Sequence, residues 1–129
     1  ISDNVIGALW LKLVVNCVYN GLSAITQLHY GRIVQGENVW PMLRDIVDEC
    51  TAVASAAGIR MTGHPWENTE AIARTMATQK SSTAFDLARG HRTEIDYING
   101  HVVARGAVLG VPTPVNRAIH AIVRLMEGR

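Results

Sequence analysis

The stretch WLKLVVNCVYN, Trp10 to Asn20, decides the fold prediction because it is almost wholly apolar or aromatic yet carries polar residues at intervals of four. An α-helix advances by about 100° per residue, so side chains four positions apart lie on one face. Lys12, Asn16 and Asn20 therefore form a polar stripe roughly 12 Å long. The apolar residues around this stripe predict a helix that is buried on nearly all other sides.

This polar stripe has two interpretations. In the first, Lys12 extends its ammonium group to solvent while the two asparagines bond to backbone within the core. In the second, the stripe lines a cleft in which an ammonium group and two amides converge on a polar ligand. The spacing by itself leaves both interpretations open.

The length and composition of the chain are those of one compact domain. It has 129 residues, of which 48% are hydrophobic, enough to form a core. Its net charge of +1 lacks the basic excess that nucleic-acid binding or an anionic membrane surface would require. We therefore expect no nucleic acid and no membrane among its partners.

The cysteines and the longest apolar run favour a cytoplasmic protein. Cys17 and Cys50 lie in apolar helical segments and are expected to be free, buried thiols in a reducing compartment. The run from Val5 to Val15 is interrupted by Lys12 and is shorter than the roughly 20 residues that span a bilayer. No secretory signal is recognised. The five histidines lack the spacing of a metal site, so none is predicted.

Helical periodicity recurs along the chain without sustained two-residue alternation, so we predict an all-α, compact bundle of about six helices. The first helix should run from about Asn4 to Asn20 and end or kink near Gly21. After a loop or short helical stretch, Pro41 suits the first turn of a helix that ends near Gly58.

Residues that typically begin or end helices predict the positions of the later helices. A shorter helix is expected from Trp66 to about Thr78. Thr83-x-x-Asp86 and Thr93-x-x-Asp96 can each begin a helix as a capping box, which would leave Ser82 just outside a helix N-terminus that favours anions. The helix from Thr93 should reach Gly110, and its two internal glycines imply a bend or the close approach of another backbone. Thr113-Pro114 should begin the last helix.

Three ordered stretches resemble one known family. They are KLVVNCVYNGLSAI (Lys12 to Ile25), SSTAFDLARG (Ser81 to Gly90) and TEIDYINGHVVARGAVLGVPTPVN (Thr93 to Asn116). Together they resemble the C-terminal domain of ketopantoate reductases, also called 2-dehydropantoate 2-reductases, and cover most of the chain. The resemblance implies a helical fold like the C-terminal domain of 6-phosphogluconate dehydrogenase. Gly21 departs from the family, which often has proline there.

The resemblance also implies a larger enzyme. In this family an N-terminal Rossmann domain holds NADPH, and the helical domain supplies the site that converts 2-dehydropantoate to pantoate on the route to pantothenate and coenzyme A. No G-x-G-x-x-G motif occurs in this chain, which begins at Ile1 rather than at methionine. We therefore expect residues 1–129 to be the helical domain of a longer protein and inactive alone; a homodimer stays open.

Roles for five residues follow from the resemblance. Lys12 would be the catalytic lysine, which polarises the substrate carbonyl oxygen and donates the proton. Glu94 would contact the reacting oxygen near that lysine. Asn16 and Asn20 match the asparagines that bind substrate hydroxyl and carbonyl groups. Ser82 matches a serine that holds the substrate carboxylate.

Structural roles are the alternatives for several of these residues. Glu94 could simply compensate the dipole of a helix start. Ser82 could be a cap or turn residue, and Asn99 could line the cleft or hold a helix bend. Asn116 and Pro114 are interpreted as structural.

Two other functions stay open. A paralogue with the same motifs would reduce a different 2-oxo acid. A non-catalytic helical module would instead use apolar residues such as Trp40, Trp66 and Phe85 for oligomerisation or interaction. Tyr19 and Tyr30, near the polar stripe, could shape a pocket.

Overall fold

The structure is a computed structural model that describes the backbone of residues 3–129 and the side chains from Val5 onward. Within these residues it contains seven α-helices, one short 3-10 helix and no strand, so the all-α prediction is confirmed. The helices are α1 (Asp3–Thr26), α2 (Tyr30–Ile33), α3 (Val39–Ala56), α4 (Pro65–Thr75), α5 (Ser82–Ala88), the 3-10 helix (Ile95–Tyr97), α6 (Asn99–Leu109) and α7 (Pro114–Met126).

Helix α1 is the centre of the bundle and packs against α2, α3, α4, α5 and α7. It does not end near Gly21, one of the two predicted outcomes, because the helix continues to Thr26. Gly21 is needed for packing instead, since a Cβ atom there would overlap Cγ2 of Ile119 on α7. The glycine therefore marks a helix crossing, which a single sequence does not distinguish from a helix end.

Burial of α1 is uneven along its length. Its second half is in the core, where Val14, Cys17 and Val18 have no exposed surface. Leu9 is 60% exposed, which corrects the expectation of burial on nearly all sides. By length and composition alone the segment Val5–Thr26 could cross a membrane, so its apolar length is greater than that of the run predicted from the sequence. Its packing against five other helices is that of a core helix.

The starts of α5 and α6 differ from the predicted capping boxes. Ser81 is the N-cap of α5, where its Oγ accepts a hydrogen bond from the N–H of Ala84. Ser82 is thus the first residue of α5 and not a residue outside it. The predicted helix from Thr93 is interrupted at Ile98, between the 3-10 helix and α6. The N–H of Thr93 donates to Glu127 of the α7 C-terminal end, so its capping box does not form.

The start of α7 is capped from another helix. Pro114 is its first residue as predicted, but the Thr113 side chain makes no capping bond. The carboxylate of Glu49, on α3, accepts bonds from the N–H groups of Val115 and Asn116 at 2.9 and 3.0 Å. A carboxylate at this position also complements the positive end of the helix dipole.

A buried polar network continues from this cap. The Asn116 amide nitrogen donates to Glu49 at 2.9 Å, and its oxygen accepts a bond from Asn99 at 2.9 Å. Asn99 also donates to the backbone oxygen of Cys17 at 3.0 Å. Both asparagines are fully buried, so Asn99 holds the interior and does not line a cleft. We call Glu49, Asn116, Asn99 and the Cys17 carbonyl the interior network.

Asp96 fastens the 3-10 helix to α7. Its carboxylate lies 2.8 Å from Nε2 of His120, and it accepts bonds at 2.9 Å from both Arg124 and Arg129. The bonds from His120 and Arg129 hold the pKa of Asp96 well below its usual range, against the opposing effect of burial. The same region of α7 lies close to α6, since a Cβ atom on Gly100 would press on the His120 side chain. The close approach of another backbone predicted from the α6 glycines is seen at Gly106, where a Cβ atom would press on the backbone oxygen of Val111.

Substituting Gly21 by alanine should destabilise the fold. Alanine is the better helix former by about 1 kcal/mol, but the added methyl group has no space beside Ile119. Overpacking of this kind costs roughly 1–3 kcal/mol. We expect Gly21→Ala to unfold at lower urea concentration than the wild type. Ala8→Gly, at an exposed position of the same helix, measures the propensity contribution; a Gly21→Ala protein more stable than wild type would contradict this packing.

The Asp96 contacts should make the free energy of unfolding depend on pH in the acid range. A carboxylate whose pKa is lowered on folding stabilises above its ordinary pKa of about 3.9, and this contribution is lost as the pH falls through the folded-state pKa. We expect Asp96→Asn to be less stable than wild type at pH 7, with a difference that shrinks between about pH 5 and pH 2. Urea unfolding across this range measures it. Asp48→Asn, in the exposed pair with Arg44, is the control; parallel curves for wild type and Asp96→Asn would exclude the effect.

Candidate active site

A groove of about 570 Å³ opens along the polar stripe of α1. Helix α1 forms one wall, and the segment that leads into α5 and the residues around the 3-10 helix form the others. The five residues predicted to form the site all line this groove: Lys12, Asn16, Asn20, Ser82 and Glu94. The structure therefore brings together residues from three separate stretches of the sequence.

The stripe residues face the groove with unused bonding capacity. Lys12 is exposed, and Asn16 and Asn20 are partly buried. Among the residues that the structure describes, none bonds to any of these three side chains. The asparagines thus do not satisfy themselves on core backbone, which was the first of the two interpretations. Their geometry is that of the second interpretation, a polar wall of a cleft.

Ser82 and Glu94 occupy the other side of the groove. Ser81 performs the capping of α5, so the exposed hydroxyl of Ser82 is left without a partner in the described part of the chain. Glu94 is exposed and precedes a 3-10 helix of only three residues, which offers little dipole to compensate. Its carboxylate and the Lys12 ammonium line one groove but form no ion pair with any described residue.

Several residues that line the groove were not predicted from the sequence. Lys80 lies in the loop before α5 and Tyr97 ends the 3-10 helix, where it is 79% exposed. Neither has a periodic relation to the α1 stripe, although the position of Lys80 beside Ser82 is a signal that could have identified it. Tyr30 lines the groove, and burial raises the pKa of its hydroxyl. Tyr19 packs behind it with ring centroids 4.9 Å apart and stays in the core.

The charges of the groove suit a small anion. Two cations, Lys12 and Lys80, and one carboxylate, Glu94, give its described lining a sum of +1. Amide and hydroxyl groups between them can donate to and accept from oxygen atoms. Leu9, Leu13 and Ile98 supply apolar surface at the same groove. The arrangement can hold a small acid that combines a carboxylate, another oxygen function and an apolar part.

Two of the three aromatic residues that could serve an interaction module, Trp40 and Trp66, have a structural role instead. Trp40 and Trp66 pack edge to face, with centroids 5.7 Å apart, and Arg44 lies over the Trp66 ring. Both tryptophans are partly buried against the core, whereas Phe85 is 50% exposed.

Among the described residues, no cluster of three or more histidine, cysteine or acidic side chains could hold a metal ion. Cys17 and Cys50 are buried free thiols.

Comparisons with known proteins identify the same family over most of the chain. The model of the family described as "Ketopantoate reductase PanE/ApbA C terminal" matches residues 4–127. A 2-dehydropantoate 2-reductase of Pyrobaculum aerophilum is 40% identical over 118 residues, which are 92% of this chain and 42% of that protein. The crystal structure of a PanE/ApbA family ketopantoate reductase from Ralstonia eutropha JMP134 is 57% identical, with a TM-score of 0.95. That match covers 98% of this chain and 43% of the other.

A D-mandelate dehydrogenase, solved with NADH and anilino(oxo)acetate, has the same helical arrangement. It is 28% identical with a TM-score of 0.90, over 98% of this chain and 42% of its own. The chain thus spans about two fifths of the length of these relatives. Its fold is of the type found in the C-terminal domain of 6-phosphogluconate dehydrogenase. The chain belongs to the ketopantoate reductase PanE/ApbA C-terminal domain family.

Proposed function

We propose that residues 1–129 are the substrate-binding and catalytic domain of a cytoplasmic, NADPH-dependent reductase that converts 2-dehydropantoate to pantoate. The observation that carries this proposal is the convergence of five polar side chains, without partners among the described residues, on one groove. A groove in which polar side chains from three separate stretches converge beside apolar surface is typical of a ligand site. The relatives that match most of the chain supply the reaction class.

The proposed chemistry is the reduction of a 2-oxo acid to a 2-hydroxy acid. A nicotinamide cofactor, when bound, would supply the hydride for the carbonyl carbon. The Lys12 ammonium polarises the carbonyl oxygen and then donates the proton that completes the hydroxyl group. Glu94 contacts the reacting oxygen and accepts a hydrogen bond from it once that oxygen is protonated. Hydride plus proton balances the change from carbonyl to alcohol.

The remaining site residues hold the substrate. Asn16 and Asn20 follow Lys12 at successive turns of one rigid helix, so their amides bond to the carbonyl and hydroxyl groups of the substrate. The Ser82 hydroxyl binds the substrate carboxylate. A site carried mainly by a long core helix keeps its groups aligned, which favours a reactive geometry.

The cofactor is proposed to bind mainly to an N-terminal Rossmann domain. The relatives are more than twice as long as this chain, which leaves room for such a domain. The open groove and the exposed Leu9 beside it fit a nicotinamide ring, since that ring packs well on apolar surface. The choice between NADPH and NADH would depend on residues of the Rossmann domain, and a homodimer is compatible with the proposal.

A second candidate is a reductase for another 2-oxo acid. The likeness to D-mandelate dehydrogenase supports it, as do the aromatic side chains of Tyr30 and Tyr97 at the groove. The two candidates are separated by the ratio of kcat/KM for 2-dehydropantoate to that for 2-oxo-2-phenylacetate, measured on the protein with its cofactor domain. We expect a preference for 2-dehydropantoate, and the opposite preference would favour the second candidate.

Removing the Lys12 ammonium should reduce turnover strongly. General acid catalysis contributes about 10²- to 10⁴-fold, so Lys12→Ala in the protein with its cofactor domain should lower kcat by about that factor. NADPH oxidation followed by absorbance measures it. Lys12→Arg keeps the charge but donates a proton poorly, so it should retain substrate affinity and lose kcat.

Two results would count against the proposal. Turnover of Lys12→Ala at the wild-type rate would remove Lys12 from the mechanism. Absence of any 2-oxo acid reduction by the wild type would favour the non-catalytic helical module instead.

A further inference from the structure

The two lysines of this chain lie in the same groove. Lys12 and Lys80 are the only lysines in the sequence, whose other basic side chains are ten arginines and five histidines. They are 68 positions apart, on α1 and in the loop before α5, and both line the groove. The five predicted site residues account for only the first of these two cations.

The backbone around Lys80 is held firmly on both sides. The carbonyl of Gln79 accepts a bond from the N–H of Tyr30 at 3.0 Å. The N–H of Ser81 donates to Oγ of Ser23 at 3.1 Å, and the Ser81 hydroxyl donates to the backbone oxygen of Asn20 at 3.2 Å. Lys80 is therefore fixed beside the last turn of the polar stripe.

The charge of Lys80 is not neutralised by the described part of the protein. No described carboxylate forms an ion pair with its ammonium, and no described group bonds to it. Its neighbour Ser82 presents a free hydroxyl to the same groove. An ammonium and a hydroxyl two positions apart can together bind the two oxygens of one carboxylate.

We propose that Lys80 is the counter-ion of the substrate carboxylate, which it binds together with Ser82, and that Lys12 is thereby left to the carbonyl oxygen. This inference rests on the proposed function of the groove. The division has a chemical reason: a carboxylate bound directly to Lys12 would stabilise its protonated form and oppose proton donation. A second cation removes that conflict. The charge sum of +1 then matches one singly charged 2-oxo acid.

Kinetics of the protein with its cofactor domain test the inference. Loss of a charged hydrogen bond should raise the KM of Lys80→Met for 2-dehydropantoate about tenfold to a hundredfold, with kcat within about threefold of wild type. Lys80→Arg should keep most of the affinity. Arg74→Met, which removes an exposed charge outside the groove, is the matched control and should behave as wild type.

A change in the substrate isolates the carboxylate. With the neutral amide of the 2-oxo acid, wild type and Lys80→Met should have equal KM values, because the proposed partner is gone. Equal kinetics of Lys80→Met and Arg74→Met with the acid would overturn the inference. It would also be overturned if Lys80→Met raised the KM of the cofactor and not that of the acid, since Lys80 would then bind a cofactor phosphate.

A binding measurement separates this inference from the proposed function. Reductive methylation with ¹³C-formaldehyde labels the two lysines and the N-terminal amine of the 129-residue chain and keeps their charge, and Lys80→Arg assigns the Lys80 signal. Oxamate, an unreactive 2-oxo acid analogue, should shift that signal, and Lys80→Met should bind it about tenfold to a hundredfold more weakly. If the wild type reduces no 2-oxo acid, the proposed function fails, and this titration alone then decides whether Lys80 binds a carboxylate in the groove. An unmoved Lys80 signal would then overturn the inference.

Discussion

The interior network that runs from Glu49 to the backbone of Cys17 is the constraint on which the rest of the structure depends. It joins α3, α7, α6 and α1 through bonds of 2.9–3.0 Å, each made by a buried or half-buried group. The fully buried amide of Asn116 is costly to leave unbonded, so the network tolerates few arrangements of these helices. It thereby fixes the rotation of α1 about its own axis. That rotation is what turns Lys12, Asn16 and Asn20 toward the groove.

The shape of the groove depends on this rigid helix and on two further attachments, at Ser81 and at Asp96. Ser81 bonds to both Ser23 and the backbone of Asn20, so the loop that carries Lys80 and the start of α5 moves with α1. The opposite side is held by Asp96, two residues after Glu94. Polar groups from distant parts of the sequence are thus placed by α1 and by segments bonded to the neighbouring helices, which suits a site that must align reacting atoms.

The sequence predicted the presence of the helices better than it predicted their boundaries, and the five residues proposed for the site line one groove. Periodicity identifies a helix because core packing requires an apolar face, and it placed the Lys12 stripe on one side of α1. It failed at Gly21, where the glycine serves a contact with Ile119 from a distant helix. It failed at the start of α7, where the capping group comes from Glu49. Lys80 was not predicted because it is close to Lys12 in the folded structure but has no regular sequence spacing from it.

The Asp96 attachment makes one edge of the groove depend on charge. Asp96 and Glu94 belong to the same short segment, which is tied to α7 by the charged contacts of Asp96 with His120, Arg124 and Arg129. The same segment is tied to the core by the buried side chains of Ile95 and Ile98. Protonation of Asp96 would remove the first tie and leave the second. In acid the segment would therefore stay anchored in the core while the charged seal beside the groove is lost.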